Sequence, residues 1–155
     1  EEDHVRSAVE SLGALHTWNL LIKPGRPIAL GHVSDGIRQV PFVGLPGNPV
    51  AVLVTFLRIA RPIILLLSGS RQTEPAMFGV PAGFSFDKKP GRREWLRAYL
   101  RRDADSGLVA IKYPNEGSGI LSSMVASDGL VELSEDTTEV SEGQVVDFLP
   151  FSEVI

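Results

Sequence analysis

Two proline–glycine loops hold the residues best suited to chemistry: Lys23-Pro24-Gly25-Arg26-Pro27 and Gly44-Leu45-Pro46-Gly47-Asn48-Pro49. In the first, both prolines fix φ, so the turn is stiff and holds Lys23 and Arg26 three residues apart. Two cations on a rigid turn meet an oxyanion with little ordering cost. The second loop joins an apolar, strand-like run at 40–43 to an apolar, helix-like run that starts at Val50. Asn48 suits a helix N-cap, and Pro49 suits the first helical position, where its missing N–H costs nothing. Gly44 and Gly47 let the backbone come close to a bound group. A helix start of this kind offers unpaired N–H groups and a positive dipole end to an anion. A tight turn without a ligand explains the second loop equally well, and a solvated basic turn explains the first taken alone. The two together, about twenty residues apart, favour a phosphate or oxyanion site.

Other segments carry weaker signals. Asn115-Glu116-Gly117-Ser118-Gly119 sets one hydroxyl between two glycines, and such a loop can give N–H groups to an anion or do nothing of the kind. Arg97, flanked by Trp95 and Tyr99 on one strand face, could sit stacked and present a planar fork to phosphate, or simply belong to an exposed face. Glu1, Glu2 and Asp3 could hold Mg²⁺ or activate water, or only complement a helix dipole. His4, His16 and His32 show no ligand spacing, which argues against a histidine metal site. No G-x-S-x-G elbow, Walker loop or G-x-G-x-x-G fingerprint occurs.

The elements that must position these residues read as two halves. A helix over 3–12 has Val5, Ala8, Val9 and Leu12 at helical spacing, with Gly13 as its C-cap. Strands follow at 15–22, 27–33 and 40–43, then a long helix that restarts at Pro62. That run is nearly long enough to span a bilayer, but Arg58, Arg61 and Pro62 interrupt it, so a buried helix and no membrane are expected. Beyond residue 74 short strand-like runs alternate with Gly, Pro, Asp and Ser. Residues 93–102 fit either a helix or a strand, and the all-β surroundings favour the strand. At 155 residues with 43% hydrophobic content, the chain can form one domain or two small ones, and the boundary is placed near 74. A net charge of −4 argues against a nucleic-acid surface. No cysteine is present, which excludes disulfides, a thiolate metal site and a cysteine nucleophile, and fits a reducing, cytoplasmic setting.

Four segments in order carry a resemblance: residues 18–27, residues 44–50, Gly91-Arg92-Arg93-Glu94-Trp95-Leu96-Arg97, and residues 116–123. Together they resemble the molybdopterin molybdenumtransferase family of MoeA and gephyrin E-domain type. The resemblance implies an α/β fold: residues 1–73 as the later part of a three-layer molybdopterin-binding-like domain, and 74–155 as a small, mainly-β C-terminal domain. It implies an enzyme that takes adenylylated molybdopterin and molybdate, with Mg²⁺, inserts the metal and releases AMP. By motif match Asp3 falls on an acidic, metal-holding and catalytic position, and Lys23 on a catalytic lysine that binds substrate. Arg26, Gly44, Pro46, Gly47, Asn48, Pro49, Arg97 and Ser118 fall on substrate-binding positions. A homodimer is implied, with a molybdopterin adenylyltransferase as a further partner. Two departures stand out. Asn19 occupies the place of a second site lysine, and the chain starts after the family's Gly-Gly-x-Ser-x-Gly loop, so it is expected to have little or no transferase activity alone. A gephyrin-like scaffold and a generic anion-binding module are the alternatives.

Overall fold

The computed structural model describes residues 4–103, 107–115, 117 and 119–154. The α/β half opens with helix α1 (His4–Leu12), whose last turn runs directly into β1 (Gly13–Thr17). Gly13 therefore starts a strand instead of capping the helix. A Cβ there would lie 2.0 Å from the His32 carbonyl oxygen, so β1 can approach its neighbour only because that position is bare. β3 (Ala29–Ser34) and β4 (Gln39–Gly44) complete an antiparallel sheet in the order β1-β3-β4. The expected strand over 15–22 divides. Its first part is β1, and its end, β2 (Ile22–Lys23), leaves this sheet and pairs in parallel with the C-terminal half.

After Asn48 the chain is helical to Leu67, in three pieces: α2 (Pro49–Thr55), a π-helical turn (Phe56–Ala60) and α3 (Arg61–Leu67). The expected restart at Pro62 becomes a widened turn. Pro62 has no N–H and its ring crowds the carbonyl four residues back; the Arg61 N–H reaches the Phe56 carbonyl, five residues away, and the helix axis passes through. By length and composition Pro49–Leu67 could cross a membrane, but Val50, Ala51, Val54, Thr55, Leu57 and Ala60 are buried in the protein. α3 has no buried residue, contrary to the expectation of a helix buried throughout.

The second half is a six-stranded sheet in the order β2-β7-β9-β11-β5, with β8 also on β7. Its strands are β5 (Phe78–Pro81), β7 (Arg93–Asp103), β8 (Gly107–Lys112), β9 (Gly129–Leu133) and β11 (Val145–Pro150). A parallel bridge from Ala82 to Ala110 joins the β5 end to β8 and closes the sheet on itself. β6 (Phe86–Asp87) and β10 (Glu139–Val140) form a separate two-stranded ribbon, and a single short helix, α4 (Ser122–Val125), interrupts the strands. The ambiguous 93–102 segment is the strand β7. Its alternation sorts Leu96 and Ala98 into the barrel core with Val131, Val146 and Phe148. Trp95, on the other face, packs with Val50 and Val54 of α2, Met124, Leu130 and Leu149. The two halves thus share one apolar cluster.

Charge reinforces that seam. Glu132 on β9 accepts hydrogen bonds from Trp95 Nε1 (2.7 Å) and Arg93 Nη1 (2.9 Å), and pairs with Arg58 Nη2 of the π-helical turn (2.9 Å). Arg93 also grips Glu135, whose carboxyl is held below the usual range first by that hydrogen bond.

Candidate functional site

The register of β7 creates the site. Lys23 of β2 pairs with Glu94, and Lys112 of β8 pairs with Ala98, both on the edge of β7 opposite β9. Between them Trp95, Leu96 and Arg97 have no strand partner on that edge among the described residues. A cleft of about 420 Å³ opens at this gap. The 23–27 loop, Pro46, Gly47 and Asn48, the start of α2, Arg92, Lys112 and Tyr113 enclose it. Among the described residues its charged side chains are strongly one-sided: Lys23, Arg26, Arg92, Arg97 and Lys112 against the carboxylate of Glu94. In a chain of net charge −4, this is a concentrated positive field suited to an anion.

Both proline–glycine loops therefore meet at one hollow, as their spacing suggested. The first contains a cis Lys23–Pro24 bond and Gly25 at φ 105, and the Leu20 N–H donates to the Arg26 carbonyl (3.0 Å). Gly25 packs on α2 so tightly that a Cβ would stand 2.2 Å from Thr55 Cγ2. Thr55 is fully buried, and its hydroxyl is tied to the Ala51 carbonyl (2.7 Å). Gly25→Ala is expected to cost about 2–4 kcal/mol, from the positive φ and the overlap together. Denaturant titration checks this, and an unchanged midpoint would contradict the packing described.

Asn48 has the extended backbone of an N-cap (φ −86, ψ 126), yet its side chain makes no capping bond. Its carbonyl accepts from Val52 N–H (2.8 Å), while Oδ1 is buried without a hydrogen-bond partner among the described residues. Leaving a buried acceptor unpaired costs about 1–3 kcal/mol, and a donor on a ligand in the adjoining cleft can supply the missing bond. Pro49 takes the first helical position but does not line the cleft. Gly44 lines a second, smaller hollow of about 240 Å³ beside Trp18, sharing Pro27, Pro46 and Gly47 with the first.

Arg97 lines the cleft, but its fork is already engaged. Nη1 donates to the Gly117 carbonyl (3.0 Å) and Ser123 Oγ (2.8 Å), and Nη2 to the Asn115 carbonyl (2.8 Å). It thereby anchors the glycine-rich loop, where the sequence suggested a guanidinium presented to phosphate. Asp3 and Ser118 lie outside the described residues. Among the described residues no group of three or more His, Cys, Asp or Glu side chains could hold a metal ion. Glu94 is paired with two cations, so these side chains alone do not fit Mg²⁺. The scattered His16 and His32 do meet, with Nε2 and Nδ1 3.0 Å apart, at an irregularity in the β1–β3 register.

Sequence reasoning missed Glu94, Arg92, Lys112 and Tyr113. Glu94 is completely buried, with Arg92 Nε 2.6 Å from Oε1 and Lys23 Nζ 3.5 Å from Oε2. Its signal lay in the Gly91–Arg97 segment, as a lone acid between arginines.

Comparison with known proteins defines the class first. Residues 1–65 match a model for a probable molybdopterin binding domain, and 79–151 match the MoeA C-terminal region, domain IV. The chain belongs to the molybdopterin molybdenumtransferase family. It is 31% identical over its whole length to the molybdopterin molybdenumtransferase of Haemophilus influenzae, covering 38% of that protein. It is 40% identical to that of Nostoc sp. over 93% of this chain and 33% of the relative. A molybdopterin biosynthesis MoeA protein structure from Pyrococcus horikosii superposes with a TM-score of 0.73 at 27% identity, over 94% of this chain and 34% of that one. The chain thus spans about a third of the length of these relatives.

Proposed function

We propose that the chain provides the oxyanion-binding part of a molybdopterin molybdenumtransferase site, in molybdenum cofactor biosynthesis. The observation that carries this reading is the shared cleft: five basic side chains and one carboxylate where two rigid loops and the β7 edge meet. Molybdate and the phosphates of adenylylated molybdopterin are the anions such a cleft suits, and release of AMP accompanies insertion of the metal. Lys23 and Arg26 bind and orient the oxyanion, Asn48 supplies an acceptor, and Pro46 and Gly47 keep the wall close to the ligand. Electrostatic positioning of this kind needs no covalent step from the protein.

The finer assignments belong to the same proposal. Residues 1–73 form the later part of the pterin-binding domain, and 74–155 form the C-terminal β domain. Asp3 contributes to Mg²⁺ binding together with groups beyond the described residues, and Ser118 contacts substrate. The working enzyme is a cytoplasmic homodimer that receives its substrate from an adenylyltransferase. Titration calorimetry of the intact protein with molybdate tests the reading. Binding is expected at low ionic strength and weakens roughly tenfold in 0.5 M salt as the cleft is screened. No molybdate binding at low salt, with a peptide bound in the cleft instead, would favour the scaffold.

A further inference from the structure

We propose that Glu94 is a positioning residue for Lys23, a buried carboxylate that holds the ammonium group where an oxyanion meets it. The inference rests on the reading of the cleft as an oxyanion site. Lys23 and Glu94 are register partners in the β2–β7 pair, so backbone pairing sets their side chains next to each other. Glu94 has no exposed surface, whereas the Lys23 side chain is 38% exposed and faces the cleft. A carboxylate buried in this way is costly unless cations and hydrogen bonds surround it. Neighbouring positions on the same face of β7, Leu96 and Ala98, are apolar and fill the core. Glu94 interrupts that apolar face, and its carboxylate meets Arg92 and Lys23 instead.

Arg92 defines how it is held. Arg92 holds one oxygen: Nε donates a hydrogen bond to Oε1 (2.6 Å), and Nη2 forms an ion pair with the same atom. Among the described residues Oε2 has no hydrogen-bond partner, and Lys23 Nζ forms an ion pair with it at 3.5 Å. A lysine arm is flexible, and ordering it at the moment of binding weakens the complex. The buried carboxylate restricts the arm beforehand, and an arriving oxyanion meets an ammonium already at the cleft wall.

Simple Coulomb attraction and positioning predict opposite signs. If Glu94 acts only through its charge, removing a negative group beside the cleft tightens anion binding. If it positions Lys23, its removal weakens binding. Molybdate titration of the intact wild type, Glu94→Gln, Lys23→Ala and the double variant separates the two. The expected result is roughly tenfold weaker binding for Glu94→Gln, with the double variant no weaker than Lys23→Ala, because the effect passes through Lys23. Binding by Glu94→Gln as tight as the wild type, or losses that add in the double variant, overturns the inference while leaving the oxyanion reading intact. If Glu94→Gln does not fold, Glu94→Asp serves, with a smaller loss that again disappears on the Lys23→Ala background. A wild type without molybdate affinity defeats the oxyanion reading. In that event a crystal structure of the variant decides, since a Lys23 ammonium unmoved without Glu94 overturns the positioning role.

Discussion

Lys23→Ala in the intact protein is expected to lower molybdenum insertion by about two to three orders of magnitude, the loss typical of removing one preorganised group from an oxyanion site. The side chain projects from a turn that proline and a tightly packed Gly25 restrict, and its ammonium borders a cleft rich in positive charge. Part of the loss reflects Glu94, which among the described residues keeps Arg92 alone as a partner once Lys23 is gone. Lys23→Arg keeps the charge and should recover a portion of the rate, limited by the geometry of the larger fork. Cofactor yield from adenylylated molybdopterin and molybdate measures the effect, with a thermal melt to show that the variant is folded. Full yield from a folded Lys23→Ala protein would remove Lys23 from the mechanism.

The parts of this site that were legible in the sequence are those set by local chemistry. Prolines and glycines restrict the chain wherever they occur, so both loops could be read from residue types alone. The strand-to-helix turn at Pro46–Pro49 follows from the same rules. Features decided by distant contacts were not legible. Ile22–Lys23 is too short to carry a strand pattern, and nothing local says that it leaves its own sheet to pair with β7. That pairing brings Lys23 beside Glu94 and bounds one end of the cleft. Nothing local singles out Glu94, because its place beside Lys23 is set by a register partner 71 positions away. For Arg97 the sequence leaves a fork presented to phosphate and an exposed strand face both open, because its acceptors are backbone carbonyls of a loop, which sequence does not reveal. The Asn48 side chain departs from its expected role for a related reason: its backbone conformation is local, but the pocket that receives Oδ1 comes from tertiary packing.

Glu132→Ala is expected to be the most damaging substitution outside the cleft, at about 2–4 kcal/mol, because it leaves the nearly buried Arg58 with the exposed Glu74 (3.3 Å) as its ion-pair partner among the described residues. Arg58 and Glu132 side chains are each 8% exposed, so water does little to replace the lost pair. Trp95 Nε1 and Arg93 Nη1 lose an acceptor at the same time. The groups come from both halves: Arg58 from the long helix, Arg93 and Trp95 from β7, and Glu132 from β9. Trp95 also lines the cleft, so loosening this joint shifts the wall that faces the ligand. For a domain of this size the loss corresponds to a fall in Tm on the order of 10 °C. Glu132→Gln keeps an acceptor for the indole and is expected to lose less. Equal melting temperatures for Glu132→Ala and the wild type would show that the Glu132 ion pairs carry no weight, and that the apolar cluster and the β2–β7 pairing hold the seam.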